Sequence, residues 1–401
     1  MRARAAALGR RVGPWLAALA AGMVLGPLPA SGEVLYVTEG NRLRRVDLSF
    51  DPPRSEVLIE RASGGAVGPG APPPARRRDV NGMICWLPDG SGRFVLGEDT
   101  GQPEAPPGWG VFTALGRQVG KLVATYRVLP GEPHGCAFDG AGRLFATDVG
   151  NKGFGRGRGQ LLVWFPPFDV LSREGGLQSG GSPGSGNFCK LATDIATAGG
   201  VAVDPQGRVY VASASGLSIL RFSPPFPTGP TAEGGCGSRD ELGSPRADRV
   251  RREVFIRGLY AFTGLAFHGE RLFASSPLTG EIAEYDLEGR WLRDVLDPPG
   301  WLPPHATGSP MALAVGGDGT LYYTDLDLVW NGWRLVPGPN GKLRRIRFDP
   351  DGAPRPPETL LEGLAFPDGV SVAPEAEAGP AGSGSPEAAG GLRRGRPRAA
   401  R

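Results

Sequence analysis

The chain has 401 residues and a formal net charge of +3, with 65 glycines and 41 prolines. This composition favours many turns over long helices. Without residues 1–32, which hold four arginines, and 374–401, which hold five arginines and three glutamates, the net charge becomes about −3. Composition therefore excludes a polyanion binder, and nucleic acid is not an expected partner. The remaining stretch of about 340 residues is long enough to bury a sizeable core.

The first predicted segment is an export signal over residues 1–32. A basic start with Arg10 and Arg11 precedes a mostly apolar run over 12–27, and "LPASGE" offers small residues for cleavage near Gly32. The run is too short and too interrupted to favour a membrane span, so a cleaved signal is favoured over a retained anchor. The arginine pair is compatible with twin-arginine export, although "RRVGPW" lacks the usual apolar pair after it. We expect a periplasmic or secreted monomer without a stable membrane span.

Internal repeats then predict the fold. Each repeat has a small or polar residue, a glycine or other small residue, an alternating apolar strand, a turn and a second alternating strand. The repeat occurs at 81–99, 134–148, 199–213, 263–276 and 311–325. A third and usually a fourth strand follow each one, as in "GEIAEYDL" and "REVFIRGL". Four antiparallel strands at this spacing are typical of β-propeller blades.

The two ends of the repeat array predict how the ring closes. The stretch "GEVLYVTEGNRLRRVDL" has a second and a third strand but no opening strand, whereas "PDGVSVAP" near the other end is an opening strand with nothing after it. Pairing 368–373 with 34–38, 42–48 and 55–60 completes a sixth blade and removes the free edges. The sequence therefore predicts an all-β, six-bladed propeller over 33–373. The rival interpretation, a seventh blade inside an insertion, lacks the alternation, and 374–401 is predicted to be a disordered tail.

Long insertions suggest which face of the ring is functional. Five of them open on the face where the inner strands begin, which predicts a ligand site there; they are 61–79, 99–108, 149–159, 298–309 and 326–340. The opposite face carries 168–187 and 223–250, which are rich in Gly, Ser and Pro and resemble spacers.

Four cysteines in an exported chain can form disulfides. Cys189 begins the outermost strand of blade two and Cys236 lies in the insertion before the last strand of blade three, so this topology predicts a Cys189–Cys236 disulfide. Cys85 and Cys136 lie on the inner strands of blades one and two. Their levels along those strands differ by about two residues, which favours two buried thiols over a second disulfide, although a pair stays open.

Polar residues at the channel mouth are the candidate site. The inner strands are expected to begin at Asn81, His134, Ala198 or Gly199, Thr263, Ser309 and Asp368, with Glu39, Glu98, Asp99, Asp148 and Asp325 at the adjoining turns. Carboxylate and amide oxygens suit a hard cation such as Ca²⁺, and we assign Asn81, Asp368 and Glu39 to it. Such a cation could promote ester or lactone hydrolysis, with His134 as the general base.

A structural alternative stands beside the assigned ligands. Asn81 and Asp368 each precede a glycine, so a role in a turn is open for both. "YVTE", "FATD" and "YYTD" place an acid at one repeated strand end, where it would cap the turn by accepting backbone N–H bonds. Glu39, Asp148 and Asp325 are therefore either caps or ligand-binding residues. His305 in "PPHATG" is a further ligand-binding candidate. Trp330, Trp333 and Arg334 form either a lid or stacking platform for a ligand, or a hydrophobic plug that packs the insertion onto the rim.

The units "GVAVDPQGRVYVAS", "GKLRRIRFDPDG" and "FPDGVSV" resemble the six-bladed superfamily of SMP-30/gluconolactonase-like and NHL-repeat proteins. The resemblance covers almost all of 33–373 and implies the propeller fold. In the lactonases of this superfamily a divalent ion is held by a Glu, by Asn residues and by an Asp, which implies Asn81 in "VNGM" and Asp368 in "PDGV" as ligands. "HGCAFDGAGRLFATD" and "PPETLLEGLAFPDGV" are also similar to soluble pyrroloquinoline-quinone sugar dehydrogenases.

Three functions follow as hypotheses. The first is binding of a sugar-like or lactone ligand at the channel mouth with metal-dependent hydrolysis. The second is a non-catalytic, NHL-like scaffold for a protein or glycan partner, and the third is a quinone-dependent sugar dehydrogenase.

Overall fold

The computed structural model describes residues 33–60, 79–99, 108–122, 133–149, 159–168, 187–240, 243–258, 261–300 and 302–374, without the side chains of Asp79, Asn81 and Asp99. The predicted signal segment, the predicted tail beyond residue 374 and most of the insertions at 61–79, 99–108, 149–159 and 168–187 lie outside these residues. The regular elements within them are β-strands. No helix in this part of the chain has the length and apolar character to cross a bilayer.

Twenty-eight strands are described. In chain order they are β1 (Val34–Glu39), β2 (Arg42–Asp47), β3 (Arg54–Glu60), β4 (Asp79–Trp86), β5 (Arg93–Asp99), β6 (Gly108–Thr113), β7 (Gln118–Leu122), β8 (Pro133–Phe138), β9 (Leu144–Asp148), β10 (Gly159–Trp164), β11 (Phe188–Ile195), β12 (Ala198–Val203), β13 (Val209–Ser213), β14 (Ser218–Ser223), β15 (Ser238–Arg239), β16 (Pro245–Arg246), β17 (Arg251–Arg257), β18 (Gly264–His268), β19 (Arg271–Ser275), β20 (Ile282–Tyr285), β21 (Trp291–Leu296), β22 (Pro310–Val315), β23 (Leu321–Asp325), β24 (Leu328–Trp330), β25 (Leu335–Pro337), β26 (Gly341–Ile346), β27 (Glu358–Leu364) and β28 (Pro367–Val372).

These strands form six blades, and the prediction of a six-bladed propeller is confirmed. From the inner strand outward, blades one to five are β4-β5-β6-β7, β8-β9-β10-β11, β12-β13-β14-β17, β18-β19-β20-β21 and β22-β23-β26-β27. Blade six is β28-β1-β2-β3, so its inner strand comes from the other end of the domain. We call the face at which the inner strands begin the upper face. The turns from second to third strands open on it, and the opposite face is the lower face.

Blade six closes the ring as the sequence predicts. Strand β28 pairs antiparallel with β1, with Leu35 opposite Val372 and Val37 opposite Val370. Because β28 supplies the partner that β1 lacks in its own part of the chain, the inner edge of β1 is not left unpaired. The observed strand bounds differ from the predicted ones by one residue.

Aromatic side chains fill the boundaries between blades. Between blades six and one, the ring of Tyr36 lies 4.9 Å from that of Trp86 and 5.6 Å from that of Phe94. Between blades three and four, Tyr210 and Phe267 meet edge to face at 5.0 Å. The period-2 alternation of the strands places these large residues on the faces between blades, where each buried aromatic removes much apolar surface from water.

Hydroxyl groups near the upper ends of second strands cross the same boundaries. Thr147 of blade two donates to the carbonyl of Gly199 in blade three at 2.6 Å and accepts the N–H of Gly135 at 2.8 Å. Ser275 of blade four donates to the carbonyl of Met311 in blade five at 3.1 Å. These hydroxyl groups supply hydrogen-bond donors to inner-strand carbonyls of the neighbouring blade.

Two disulfides join blade two to both of its neighbours. The predicted Cys189–Cys236 disulfide is present and links blade two to the insertion of blade three. Cys85 and Cys136 also form a disulfide, between the inner strands of blades one and two, so the expectation of two buried thiols is wrong. The physical reason is an additional residue in β4, described below, which brings Cys85 one residue closer to the level of Cys136.

The insertion over 223–250 is not a spacer. Its strands β15 and β16 extend the sheet of blade two, where Arg246 pairs in parallel with Lys190. The ammonium group of Lys190, in a side chain only 2% exposed, lies 2.5 Å from the carboxylate of Asp240 in the insertion. The insertion therefore covers the outer edge of blade two, and its Asp240 supplies the counter-charge for the buried ammonium group of Lys190.

Candidate functional site

One residue of each inner strand lies at the same level around the upper end of the channel. Each is two residues before the inner-strand residue that pairs with one equivalent position of the second strand, held in blade order by Leu96, Ala146, Val211, Ala274, Tyr323 and Val37. Those inner-strand residues are Ile84, Cys136, Val201, Leu265, Leu313 and Val370. We call these six positions the ring positions, and they hold Gly82, His134, Gly199, Thr263, Met311 and Asp368. The structure thus places His134, Thr263, Asp368 and Gly199 where the sequence predicts them.

Two ring positions differ from the prediction. In blade five the position is held by Met311 and not Ser309, whose N–H instead donates to Asp325 at 2.7 Å. In blade one it is held by Gly82, because β4 has one more residue than β8 between its paired ends and Gly82 takes a left-handed φ of +76°. Asn81 therefore lies one residue outside the ring positions. Its side chain is outside the described part of the structure.

Asp368 is buried at 1% exposure and connects blade six to blade one. One carboxylate oxygen accepts the hydroxyl of Thr38 at 2.8 Å, and the other accepts the N–H of Gly82 at 2.9 Å. Hydrogen bonds to an ionised carboxylate are stronger than those between neutral groups. The observed role of Asp368 is thus a link across the seam of the ring.

Glu39, also 1% exposed, has different partners. One of its oxygens forms an ion pair with the Nε of Arg44, and the other accepts the N–H of Ala365 at 3.1 Å. Asp325 of blade five repeats this arrangement. It accepts the N–H groups of Ser309 and Asp327 at 2.7 and 2.9 Å and pairs with the Nε of Arg344 at 3.0 Å. Asp325 thus caps the turn that follows its own strand, as the capping interpretation predicts, whereas the N–H that Glu39 accepts belongs to the loop before β28.

Sequence reasoning missed the arginine partners, although a signal for them exists. "RLRR" over 42–45 and "KLRR" over 342–345 place Arg44 and Arg344 at equivalent positions of the third strands of blades six and five. Each arginine is one residue beyond the leucine that pairs with the threonine before the acid. Glu98 of blade one has a comparable cation, since its carboxylate lies 3.2 Å from the Nζ of Lys121. Asp148 is buried at the end of β9, opposite Pro133 and Gln160.

The described side chains do not support a cation held jointly by Glu39 and Asp368. The contacts described for Asp368 are with Thr38 and Gly82, whereas Glu39 already has a guanidinium counter-charge. Among the described residues no group of three or more His, Cys, Asp or Glu side chains is placed to hold a metal ion. Because the side chain of Asn81 is not described, calcium binding stays a prediction.

His134 is the buried imidazole at the ring position of blade two. It is 7% exposed, and no described residue forms a hydrogen bond with its Nδ1. Burial lowers the pKa of His134 to about 4, so the imidazole is neutral at physiological pH. A buried polar nitrogen without a protein partner is uncommon and can serve as a hydrogen-bonding group for a bound molecule. His305 is half-buried in the loop before β22, with its Nε2 3.2 Å from the carbonyl of Leu278.

The insertion of blade five forms a projecting hairpin of β24 and β25, which we call the tryptophan hairpin (residues 328–337). Trp330 is 52% exposed and Trp333, in the turn, is 93% exposed. Arg334 is exposed beside them. The plug interpretation does not hold for Trp333, which leaves nearly all of its surface open to solvent. The hairpin lies between β23 and β26, so it projects from the upper face.

These features define the class of protein: a six-bladed β-propeller with acids held in structural contacts and an exposed aromatic hairpin on its upper face. No protein-family model matches the chain, and no curated protein matches it. Solved structures with the same fold do. A chain of a nidogen/laminin complex is 14% identical with a TM-score of 0.51, over 86% of this chain and 99% of that one.

Two further similar structures have lower TM-scores. Regucalcin from Agrobacterium tumefaciens, a calcium-binding protein, is 16% identical with a TM-score of 0.45, over 74% of this chain and 79% of that one. Virginiamycin B lyase from Staphylococcus aureus is 12% identical with a TM-score of 0.46, over 86% and 93% of the two chains. At these identities the matches indicate the propeller fold alone and assign neither a family nor an activity.

Proposed function

We propose that this chain is an exported binding propeller that holds a carbohydrate on its upper face through the tryptophan hairpin. One observation carries the proposal: Trp333 is 93% and Trp330 52% exposed on a hydrogen-bonded hairpin of the upper face. Trp is a large residue that a folded chain usually buries at least in part. Exposed aromatic residues on an ordered element are typical of binding surfaces.

A sugar ring suits such a surface. The flat C–H face of a pyranose covers an indole ring while its hydroxyl groups stay in water, and Trp combines a large apolar face with one polar N–H group. Covering about 100 Å² of indole at roughly 25 cal/mol per Å² would contribute about 2.5 kcal/mol. A contribution of this size would be a large part of the binding free energy of a weak but specific sugar complex.

The contacts of the acids favour binding over hydrolysis. Glu39, Asp325 and Asp368 each hold backbone N–H groups or an arginine, so their observed contacts are structural. Export has separate support in the two disulfides, since disulfides persist in oxidising compartments.

A panel of neutral and charged oligosaccharides titrated calorimetrically into the full chain tests the proposal. We expect at least one glycan to bind, and Trp333→Ala to weaken that binding at least about tenfold, or 1.4 kcal/mol. Trp291→Ala is the matched control, because Trp291 is 57% exposed on an outer strand of blade four. No glycan binding, or equal weakening by both substitutions, would contradict the proposal.

A second candidate rests on His134. Its unpartnered Nδ1 and its neutral state would suit a proton acceptor for lactone hydrolysis at the channel mouth. The test is a lactone panel with chelator or with added Ca²⁺, comparing the wild type with His134→Gln. Hydrolysis that needs Ca²⁺ and is lost in the variant would favour this candidate. Unchanged turnover in the variant would exclude His134 as the base.

A further inference from the structure

The tryptophan hairpin carries one cation, directly after Trp333 in the sequence. Arg334 is the only ionisable residue between Leu328 and Pro337, and its side chain is exposed. Among the described residues, no acid forms an ion pair with it. The arginines at the base of this face differ, since Arg44 and Arg344 are paired with Glu39 and Asp325. Within the described part of the chain, Arg334 is thus an exposed guanidinium without an ion-pair partner, on the same hairpin as two exposed indole rings.

The turn that presents these side chains is held in one conformation. The side-chain oxygen of Asn331 accepts the N–H groups of Trp333 and Arg334 at 3.3 and 3.2 Å. The N–H of Asn331 donates to the carbonyl of Arg334 at 3.2 Å, which closes the turn. A binding group that is already ordered loses less conformational entropy when its ligand arrives.

The base of the hairpin is anchored to blade five. The N–H of Gly338 donates to the carbonyls of Asp327 and Leu326 at 2.9 and 3.3 Å. The N–H of Asn340 donates to the carboxylate of Asp327 at 3.2 Å. Asp327 has a left-handed φ of +51°, which turns the chain out of β23 into the hairpin. The position of the hairpin backbone relative to the blade is therefore defined by the fold.

We propose, on the basis of the function proposed above, that the hairpin recognises an acidic sugar, with the pyranose ring against an indole and its anionic group against Arg334. A guanidinium presents parallel N–H donors that match a carboxylate in a bidentate contact. The same chemistry accepts a sulfate ester, which the test distinguishes. Because the body of the protein has a net charge of about −3, it does not attract a polyanion at long range. The recognised unit is one short acidic saccharide.

The experiment titrates the full chain with three trisaccharide probes: a trigalacturonate, its fully methyl-esterified form and a sulfated galactose trisaccharide. The methyl ester keeps the ring and removes the charge. We expect one of the acidic probes to bind at least about tenfold more tightly than the ester, and Arg334→Gln to abolish that difference while binding of the ester stays unchanged. Trp333→Ala should weaken all three probes, and Trp291→Ala none. Which acidic probe binds more tightly identifies the anionic group.

Three results would overturn the inference: equal binding of the acids and the ester, binding of none of the probes, or an acid preference that persists in Arg334→Gln. Equal binding that is lost in Trp333→Ala would leave the proposed glycan function standing, so the two failures are distinguishable. All of the substituted residues are exposed, and an unchanged melting temperature of each variant verifies that its fold is intact.

Discussion

Thr38 and Asp368 lie 330 residues apart in the sequence, and the hydroxyl of Thr38 donates a 2.8 Å hydrogen bond to the carboxylate of Asp368. The second carboxylate oxygen accepts the N–H of Gly82 at 2.9 Å, so three strands from two blades meet at one buried charge. A hydroxyl has one hydrogen to donate. The carbonyl of Gly82, 3.0 Å from the same hydroxyl, is a longer and uncharged alternative to the carboxylate.

This contact predicts that the seam of the ring is sensitive to loss of one hydroxyl. Thr38→Val keeps the shape of the side chain and leaves a buried carboxylate with one donor fewer, which should lower the free energy of unfolding by about 1–3 kcal/mol. Chemical denaturation measures the change. Thr359→Val, at an exposed position of β27, is the control and should stay within about 0.5 kcal/mol of wild type. Equal stability of the two variants would refute the role given to Thr38.

Comparison of two glycines with left-handed φ distinguishes the cost of backbone strain from the cost of steric crowding. Gly82 has φ +76°, and a Cβ there would lie 2.5 Å from the carbonyl oxygen of His134; Gly90 has φ +69° and open space around it. Substitution by Ala should cost roughly 1–2 kcal/mol at either position for the backbone conformation. Gly82→Ala should cost about 1–3 kcal/mol more, because inner strands of neighbouring blades must move apart. Denaturation of both variants measures the difference, and equal losses would show that the approach of blades one and two is not tight.

Burial of His134 predicts a pH dependence of stability. The folded-state pKa of about 4 is below the value of 6.5 for a free imidazole, so the unfolded chain binds a proton that the folded chain excludes. Stability associated with His134 should thus be complete above pH 6.5 and fall as the pH decreases toward 4. The total loss is about 3 kcal/mol.

Thermal unfolding between pH 4 and 7 checks this dependence. His134→Gln should flatten the decrease over this range, whereas His268→Gln, which removes an exposed imidazole on the lower face, should not. A wild-type stability curve that keeps its slope in His134→Gln would exclude His134 as the titrating group.

The disulfides predict a stepwise loss of stability under reduction. Cys85–Cys136 closes a loop of 51 residues and Cys189–Cys236 one of 47. Chain-entropy estimates give each about 4 kcal/mol, with measured values of about 2–5. The paired substitutions Cys85→Ser with Cys136→Ser should therefore lower the melting temperature by several degrees. Thiol labelling of the unfolded wild type should find no free cysteine before reduction and four afterwards. Two free thiols before reduction would contradict the pairing.

The sequence predicts the fold well because its signal is periodic. Alternation of apolar residues identifies the strands, and the orphan strand at 367–372 identifies the closing partner of 34–39. Ring positions follow less well, since the inserted residue at Gly82 breaks the period in blade one and the ring position of blade five falls at Met311, two residues after Ser309. That one residue displaces Asn81 from the ring and changes the level of Cys85, which explains why the Cys85–Cys136 disulfide was not expected.

The sequence of a single repeat does not predict which groups its acid contacts. "YVTE" and "YYTD" show that Glu39 and Asp325 are equivalent, but whether such an acid faces a ligand or a guanidinium depends on a side chain on the next strand. The repeated "LRR" of the third strands indicates a guanidinium partner for both acids. Exposure of Trp333 depends on tertiary packing and has no signature in the local sequence.

The seam of the ring also determines the order in which the protein can be completed. Strand β1 is among the first parts of the domain to leave the ribosome, and its inner neighbour β28 follows about 330 residues later. Until then, β1 exposes a row of unpaired backbone groups that any extended chain could join. Because blade six is finished by the last described strand, the ring cannot close until that strand has been synthesised, and its pairing is the step that commits the chain to its native form.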